Sequence, residues 1–244
     1  MVTAASVQKA LRSAADPAKV AVCMSFFKTG PGQYGEGDQF LGVTVPKQRV
    51  IAKAHKDLSL SEIQKLLDSP WHEERLTALL ILVGQFKKAD VAQQASVYKF
   101  YVKNFKRVNN WDLVDSSAHY IVGPFLGDMD AGVGAQRRCA PTLIAWAQSK
   151  HLWTRRIAVI ATFHFIRQDE FKLTLHLAKL LLNDPHDLMH KAVGWMLREI
   201  DKRDRSVIQA FLAEHAAQMP RTMLRYAIEK FSERERLGYL KKRR

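Results

Sequence analysis

The chain has 244 residues, enough for one large domain or two small ones. Its 38 lysines and arginines exceed its 24 aspartates and glutamates by 14 charges, of which 8 lie in residues 151–244 and 6 in residues 1–150. Because the excess is spread along the chain, it indicates a positive face that binds phosphate backbones rather than an isolated basic tail. No run approaches the roughly 18 apolar residues of a membrane span, so we expect no membrane association.

Two further features concern the cellular compartment. No charged segment followed by an apolar stretch opens the chain, so no secretory signal is visible. The two cysteines, Cys23 and Cys139, lie far apart, which fits a reducing cytoplasm better than a disulfide framework. We therefore expect a cytoplasmic protein, associated with the bacterial nucleoid if its polyanion is DNA.

Helical periodicity extends from one end of the chain to the other. Apolar residues recur at spacings of three and four from Val7 to Ala14 and again in later segments. A capping residue followed by proline recurs as a helix-start signal, at Asp16-Pro17, Ser69-Pro70 and Asp184-Pro185. Period-two runs bounded by hairpin turns are absent from the sequence, which predicts twelve or more helices and no sheet of consequence.

A glycine-rich segment, Thr29–Gly42, interrupts this pattern and predicts a loop between helices. Its stretch Gly30–Gly35 matches the dinucleotide-binding fingerprint letter for letter. That fingerprint requires a preceding strand, a following helix and a downstream acid, none of which is predicted here. A loop without nucleotide is the better interpretation.

Three helical segments resemble one another in sequence. Aligning Thr77, Arg156 and Lys191 gives spacings of 79 and 35 residues, close to two periods and one period of about 40. This is the length of a HEAT-type helical hairpin. We predict an all-α fold, a right-handed superhelical solenoid of HEAT-like helical hairpin repeats with a concave basic groove, as one domain over residues 1–244. Residues 231–244 would form a basic C-terminal tail that adds non-specific affinity.

The segment Asn109–Ala118 falls near the middle repeat and contains the most informative pair of residues. Trp111 and Asp115 are four positions apart at a predicted helix start, so they should point in the same direction. A carboxylate beside an aromatic ring, in a basic chain, suits the stabilisation of positive charge that develops on a bound nucleic acid.

Trp153 and Trp195 lie in matched repeat helices, within one turn of Arg156 and Lys191. Tryptophan in a helical protein is usually a core residue. Their recurrence beside cations nevertheless suits contact with a nucleic-acid backbone and a cationic base. His186 and His190 have the spacing of a zinc-binding helix, but no third ligand is indicated, so we predict no metal.

The motifs Trp111–Ser116, Trp153–Ala158 and Lys191–Glu199 together resemble the AlkD-type alkylpurine DNA glycosylases. The stretch Phe40–Val43, followed by Pro46 and Arg49, is similar to the family's N-terminal pattern, and the likeness extends from about residue 17 to residue 230. The chain departs at two positions from one member of that family, which has tryptophan where Asn110 stands and tyrosine near Phe26. No role is therefore assigned to Phe26.

The resemblance implies a curved solenoid that binds duplex DNA and excises cationic lesions such as 3-methyladenine and 7-methylguanine. It implies that Asp115 is the catalytic carboxylate and that Trp111 and Trp195 are aromatic walls at the lesion. It also implies that Arg156 contacts phosphate. We expect Lys191 to be a further contact, and Arg155 and Trp153 are candidate DNA-binding neighbours.

We thus predict a monofunctional DNA N-glycosylase that acts as a monomer on alkylated duplex DNA, without cofactor or metal. No lysine is placed as a Schiff-base nucleophile, so strand cleavage is not expected. Two alternatives stay open: a non-catalytic HEAT-repeat protein that binds bent or damaged DNA, and a protein-interaction scaffold.

Overall fold

The computed structural model describes residues 2–128 and 135–241, with no side-chain detail for residues 128 and 135–139. Part of the predicted tail, residues 242–244, and the Cys139 side chain therefore lie outside the described residues. The described part of the chain is all-helical and contains no strand, as the sequence predicts. The handedness of a superhelix stays a prediction. None of the described helices is long and apolar enough to cross a bilayer.

The chain divides into two compact units, of which the first ends at Ile121 and the second begins at Val122. The helices before this point are α1 (Ala4–Ser13), α2 (Pro17–Phe26), α3 (Val45–Ala54), α4 (Leu60–Leu67), α5 (His72–Phe86), α6 (Val91–Lys103) and α7 (Trp111–Asp115), with a 3₁₀ turn at Phe105–Arg107. Helix α8 (Ala118–Asp128) includes the boundary. The remaining helices are α9 (Ala135–Ala147), α10 (Leu152–Ala161), α11 (Phe163–Ile166), α12 (Lys172–Leu180), α13 (Asp187–Asp201), α14 (Arg205–His215), α15 (Arg221–Ala227) and α16 (Glu233–Lys241).

Helix α5 is the centre of the first unit. It packs against α1, α3, α4, α6 and α7, and most of its residues are buried. Its first turn is unusual because four consecutive charged or polar residues, His72 to Arg75, are each at most 4% exposed. Charged groups are rarely buried unless they are paired. This first turn forms part of the site described below.

Helix α13 is the centre of the second unit, packed against α10, α11, α12, α14 and α15. Gly194 sets its approach to α15, because a Cβ atom there would lie 2.5 Å from the Tyr226 Cβ and 2.6 Å from the Met223 carbonyl oxygen. The glycine of the Lys191–Glu199 motif is thus explained by helix packing.

The helix-start signals place two of the three proline-marked helices only approximately. Asp16 caps α2 with Pro17 in the first turn, as predicted. Helices α5 and α13 begin two residues after Pro70 and Pro185. The segment Thr29–Gly42 contains no helix, and residues 233–241 of the predicted tail form α16.

Candidate functional site

Trp111 and Asp115 lie at the two ends of the five-residue helix α7 and line the same cavity of about 440 Å³. The first unit builds this cavity from the end of α2, the end of the glycine-rich loop, the starts of α3 and α5, and α7. The sequence-based expectation that these two side chains share one face agrees with this geometry.

The cavity wall contains a stack of aromatic rings. Phe27 lies between Phe40, at 5.1 Å, and Trp111, at 5.4 Å, with interplanar angles of 16° and 19°. The ring of Phe26 meets Trp111 edge-on at 5.6 Å and is 61% exposed. An aromatic pair with offset or edge-on geometry contributes about 0.5–1.5 kcal/mol beyond area burial, so this wall holds the Trp111 indole in place.

A buried ionic network lies directly behind these rings. The His72 imidazole donates through Nδ1 to Asp38 at 2.9 Å and through Nε2 to Asp112 at 2.7 Å. Arg75 donates to the other oxygen of Asp38 at 2.6 Å. Phe40 stacks on His72 at 4.8 Å. The network therefore connects the loop, α5 and α7 through charge-assisted hydrogen bonds.

The titration of this network follows from its contacts. Burial disfavours a charge on His72, but the carboxylates of Asp112 and Asp38 outweigh burial and raise the pKa of the imidazole to about 9. Burial also raises the pKa of Asp38, whereas His72 and Arg75 outweigh it and leave that pKa below its ordinary value. Near neutral pH His72 is therefore an imidazolium between two carboxylates.

The end of the glycine-rich loop is held by a second buried acid. Glu73 accepts hydrogen bonds from the backbone amides of Leu41 at 3.0 Å, Gly42 at 2.8 Å and Val43 at 3.2 Å. Gly42 has a φ of +78°, and a Cβ atom there would lie 2.1 Å from the Asp16 carbonyl oxygen. Only glycine fits this position, and the resulting turn brings Phe40 and Val43 to the cavity.

Both ends of α7 are anchored, which determines where Asp115 sits. At the start, the buried Asn110 side chain accepts a hydrogen bond from the Trp111 amide at 2.8 Å. At the end, Ser117 bonds the Leu113 carbonyl at 2.5 Å and the Tyr101 hydroxyl at 2.8 Å. Burial raises the pKa of Tyr101, and the nearby Asp115 carboxylate raises it further. Asp115 itself is half-buried at the cavity.

The other site residues predicted from sequence belong to the second unit. Trp195 is half-buried, and its Nε1 donates to Glu199 at 2.9 Å. The Lys191 side chain is 39% exposed, and its ammonium pairs with Asp187 at 2.8 Å. These two side chains reach the surface of α13.

Trp153, Arg155 and Arg156 instead have interior contacts. Trp153 and Arg156 are 6% and 4% exposed, and Arg156 donates to the Leu188 carbonyl at 2.5 Å. Arg155 binds Asp184 through Nε at 2.7 Å. Both arginines thus stabilise the start of α13, and their predicted DNA contacts stay predictions.

The sequence matches the family described as DNA alkylation repair enzyme over residues 7–231. The chain belongs to this family. It is also similar to a solved structure described as a predicted DNA alkylation repair enzyme from Enterococcus faecalis, with a TM-score of 0.68 and 15% identity over 90% of this chain and 97% of that one. At that identity the likeness concerns the fold. No curated protein sequence matches the chain.

Membership in the DNA alkylation repair family supports a role in the repair of alkylation damage, with DNA as the partner. Sequence reasoning missed several residues that hold this member's cavity together: Asp38, His72, Arg75 and Asp112. One signal was available, because the charged run from His72 to Arg75 opens a helix that is otherwise almost wholly apolar. A charged run that the periodicity requires to be buried predicts paired partners elsewhere in the chain.

Proposed function

We propose that this chain is a monofunctional DNA glycosylase that hydrolyses the N-glycosidic bond of cationic alkylated purines, such as 3-methyladenine and 7-methylguanine, in duplex DNA. The observation that carries the proposal is that Asp115 and Trp111 line one aromatic cavity. The family membership supplies the context of alkylation damage.

The chemistry requires little more than the residues of this cavity. Alkylation at N3 or N7 leaves a positive charge on the purine, so the base departs as a neutral molecule without protonation. As the C1′–N bond breaks, its electron pair goes to the base and positive charge develops on the sugar. The Asp115 carboxylate stabilises that charge and accepts the proton of the water that adds to C1′. An indole face adds about 0.5–2 kcal/mol of cation–π attraction.

The buried network behind the cavity supports this assignment electrostatically. His72 and Arg75 balance the charges of Asp38 and Asp112, so these acids are already neutralised within the protein. Asp115, at the end of α7, lines the cavity in front of these acids. Asp38 and Asp112 are thus engaged by cations of the protein, and the proposal assigns the substrate to Asp115.

The second unit would contribute DNA contacts through α13. Trp195 and Lys191 keep the roles that the family resemblance implies, as an aromatic wall and a phosphate contact. Their partial exposure supports these roles. Arg155 and Arg156 would support them by holding the start of α13, in addition to any phosphate contact of their own.

Replacement of the acid tests the proposal. Asp115→Asn should reduce the release of 7-methylguanine from methylated duplex DNA by at least about 100-fold, the usual contribution of a positioned acid or base. The matched control is Glu214→Gln, which removes a carboxylate that is 74% exposed on α14. Free bases are separated by chromatography. Release at the wild-type rate by Asp115→Asn would refute the role of Asp115, and a wild-type protein that binds DNA but releases no base would instead be a non-catalytic reader of damaged DNA.

A further inference from the structure

A second and larger cavity, of about 790 Å³, lies in the first unit between α3, α5 and α6. Five cationic side chains line it, and Asp57 is the one carboxylate among its described lining residues. The cations are Arg49, Lys53, Lys56, Lys87 and Lys88. The sequence-based DNA-binding residues all belong to the second unit, so this cluster is additional to them.

These cations are not neutralised by carboxylates of the protein. Within residues 2–128 and 135–241, none of the five forms an ion pair, whereas Arg12, Arg75 and Arg155 each pair with an acid. All five are exposed. Converging like charges repel one another, and an anion that enters the cavity would relieve that repulsion.

An ordinary structural explanation covers part of the cluster. Cations near helix C-termini interact favourably with the helix dipole, and Lys53 and Lys87 lie at the ends of α3 and α5. That effect accounts for a lysine at each helix end. It does not account for cations from both helices around one cavity, nor for Arg49 and Lys56.

The cavity adjoins the candidate site. Arg49, Ser116 and Tyr120 line both cavities, and Ser116 directly follows Asp115 in the chain. The Lys87 ammonium lies 4.1 Å from the centre of the Tyr120 ring, at this shared wall. The cavity floor is apolar, with Ala52, Leu80 and Val83 among its residues.

We propose that this basic cavity binds the sugar–phosphate backbone of the DNA strand that flanks the nucleotide placed at Asp115. Phosphates would meet the cationic rim, and the deoxyribose rings would pack on the apolar floor. The inference rests on the proposed function because it takes DNA as the ligand. It differs from that function in requiring binding alone, without bond cleavage.

The salt dependence of DNA binding tests the inference. Each lysine that neutralises a phosphate contributes about 0.9 to the slope of log K against log salt concentration for duplex DNA. A triple variant, Lys53→Gln with Lys56→Gln and Lys88→Gln, should lower the magnitude of that slope by about 2 to 3. Its affinity at about 0.1 M salt should fall at least about 10-fold. The measurement is a titration of a fluorescent 20-base-pair duplex at four salt concentrations.

The control variant removes the same number of charges from exposed positions of the same unit that line neither cavity. It combines Lys9→Gln, Lys99→Gln and Lys106→Gln, and its slope should change by less than about 1. Equal slopes for the two triple variants would overturn the inference. Thermal unfolding of both variants checks that each retains its fold.

The outcomes also separate this inference from the proposed function. If the wild-type chain releases methylated bases but the two triple variants bind alike, the cavity assignment fails and the glycosylase stands. If the cavity variant alone loses salt dependence while no base is released, the glycosylase fails and the cavity assignment stands. A wild-type chain without salt-dependent DNA binding would overturn both.

Discussion

The helix starts of α5, α10 and α13 differ from that of α7 in how they are held. In the first three, one residue that precedes the helix makes two contacts. Its side-chain oxygen accepts a hydrogen bond from the amide two positions later, and its carbonyl oxygen is contacted by the side chain six positions later. The residues are Ser69, Trp71 and Arg75 in α5, Ser149, His151 and Arg155 in α10, and Asp184, His186 and His190 in α13. These helices fasten their own first turn.

Helix α7 lacks this pair of contacts, which we call the clamp. Its N-cap is Asn110, and the amide of Val114 donates to the Asn110 carbonyl oxygen. Val114 therefore occupies the position in α7 that Arg75 occupies in α5 and Arg155 in α10. The valine side chain has no hydrogen-bond donor, and α7 is held instead by His72 and by the Tyr101–Ser117 pair. The helix that contains the proposed catalytic acid is therefore positioned by its neighbours.

The same register corrects the repeat alignment. Arg156 and Lys191 follow the clamp residues Arg155 and His190, and Asp115 follows Val114. In the first repeat the residue after Arg75 is Leu76, so the sequence alignment on Thr77 was wrong by one position. Asp115, Arg156 and Lys191 hence occupy equivalent positions in three repeats.

Removal of His72 should have the largest effect, because it leaves two buried carboxylates without their shared cation. His72→Ala should lower the free energy of unfolding by about 3–5 kcal/mol and slow base release. His190→Ala removes a single hydrogen bond, between a side chain and a carbonyl oxygen, from α13, which holds its own first turn. It should lower the free energy of unfolding by about 1 kcal/mol. Urea denaturation measures both. Similar losses would mean that α7 does not depend on the network.

The pH dependence of stability sharpens the same contrast. The pKa of His72 is raised from 6.5 to about 9 in the folded chain, so its contribution to stability is complete below pH 6.5 and is lost as pH rises through 9. The contribution is on the order of 3 kcal/mol. Urea unfolding at pH 6.5 and pH 9.5 should show this loss for the wild type and not for His72→Ala. A constant difference between the two proteins at both pH values would argue for a neutral imidazole.

A smaller effect than that of His72→Ala is expected at the start of α10, which holds its own first turn. Arg155→Lys keeps the positive charge but loses the planar pair with Asp184 and the bonds to the Ser149 and Lys150 carbonyls. We expect a loss of about 1–2 kcal/mol in unfolding free energy, with the salt slope of DNA binding unchanged. A change of about 1 in that slope would show that the charge of Arg155 meets a phosphate in a way that lysine cannot reproduce.

The sequence predicts what depends on local spacing. Helical periodicity correctly predicted the all-helical fold of the described residues, and Trp111 and Asp115, four positions apart in the sequence, line one cavity. The network behind them could not be predicted in this way, because Asp38 and Asp112 are 34 and 40 positions from His72. Such pairs form only when the fold brings distant segments together, and no period in the sequence reports them.

The contact between Glu73 and the loop amides has one more consequence. Three successive N–H groups that converge on one point form a nest, the backbone arrangement that commonly captures phosphate. Here the carboxylate of Glu73 already occupies the nest, and Glu73 is only 2% exposed. A phosphate would have to evict an acid that is held by three amides. These amides are therefore closed to an incoming polyanion at the rear of the aromatic cavity, and the cations outside the cavity are the groups that can bind it.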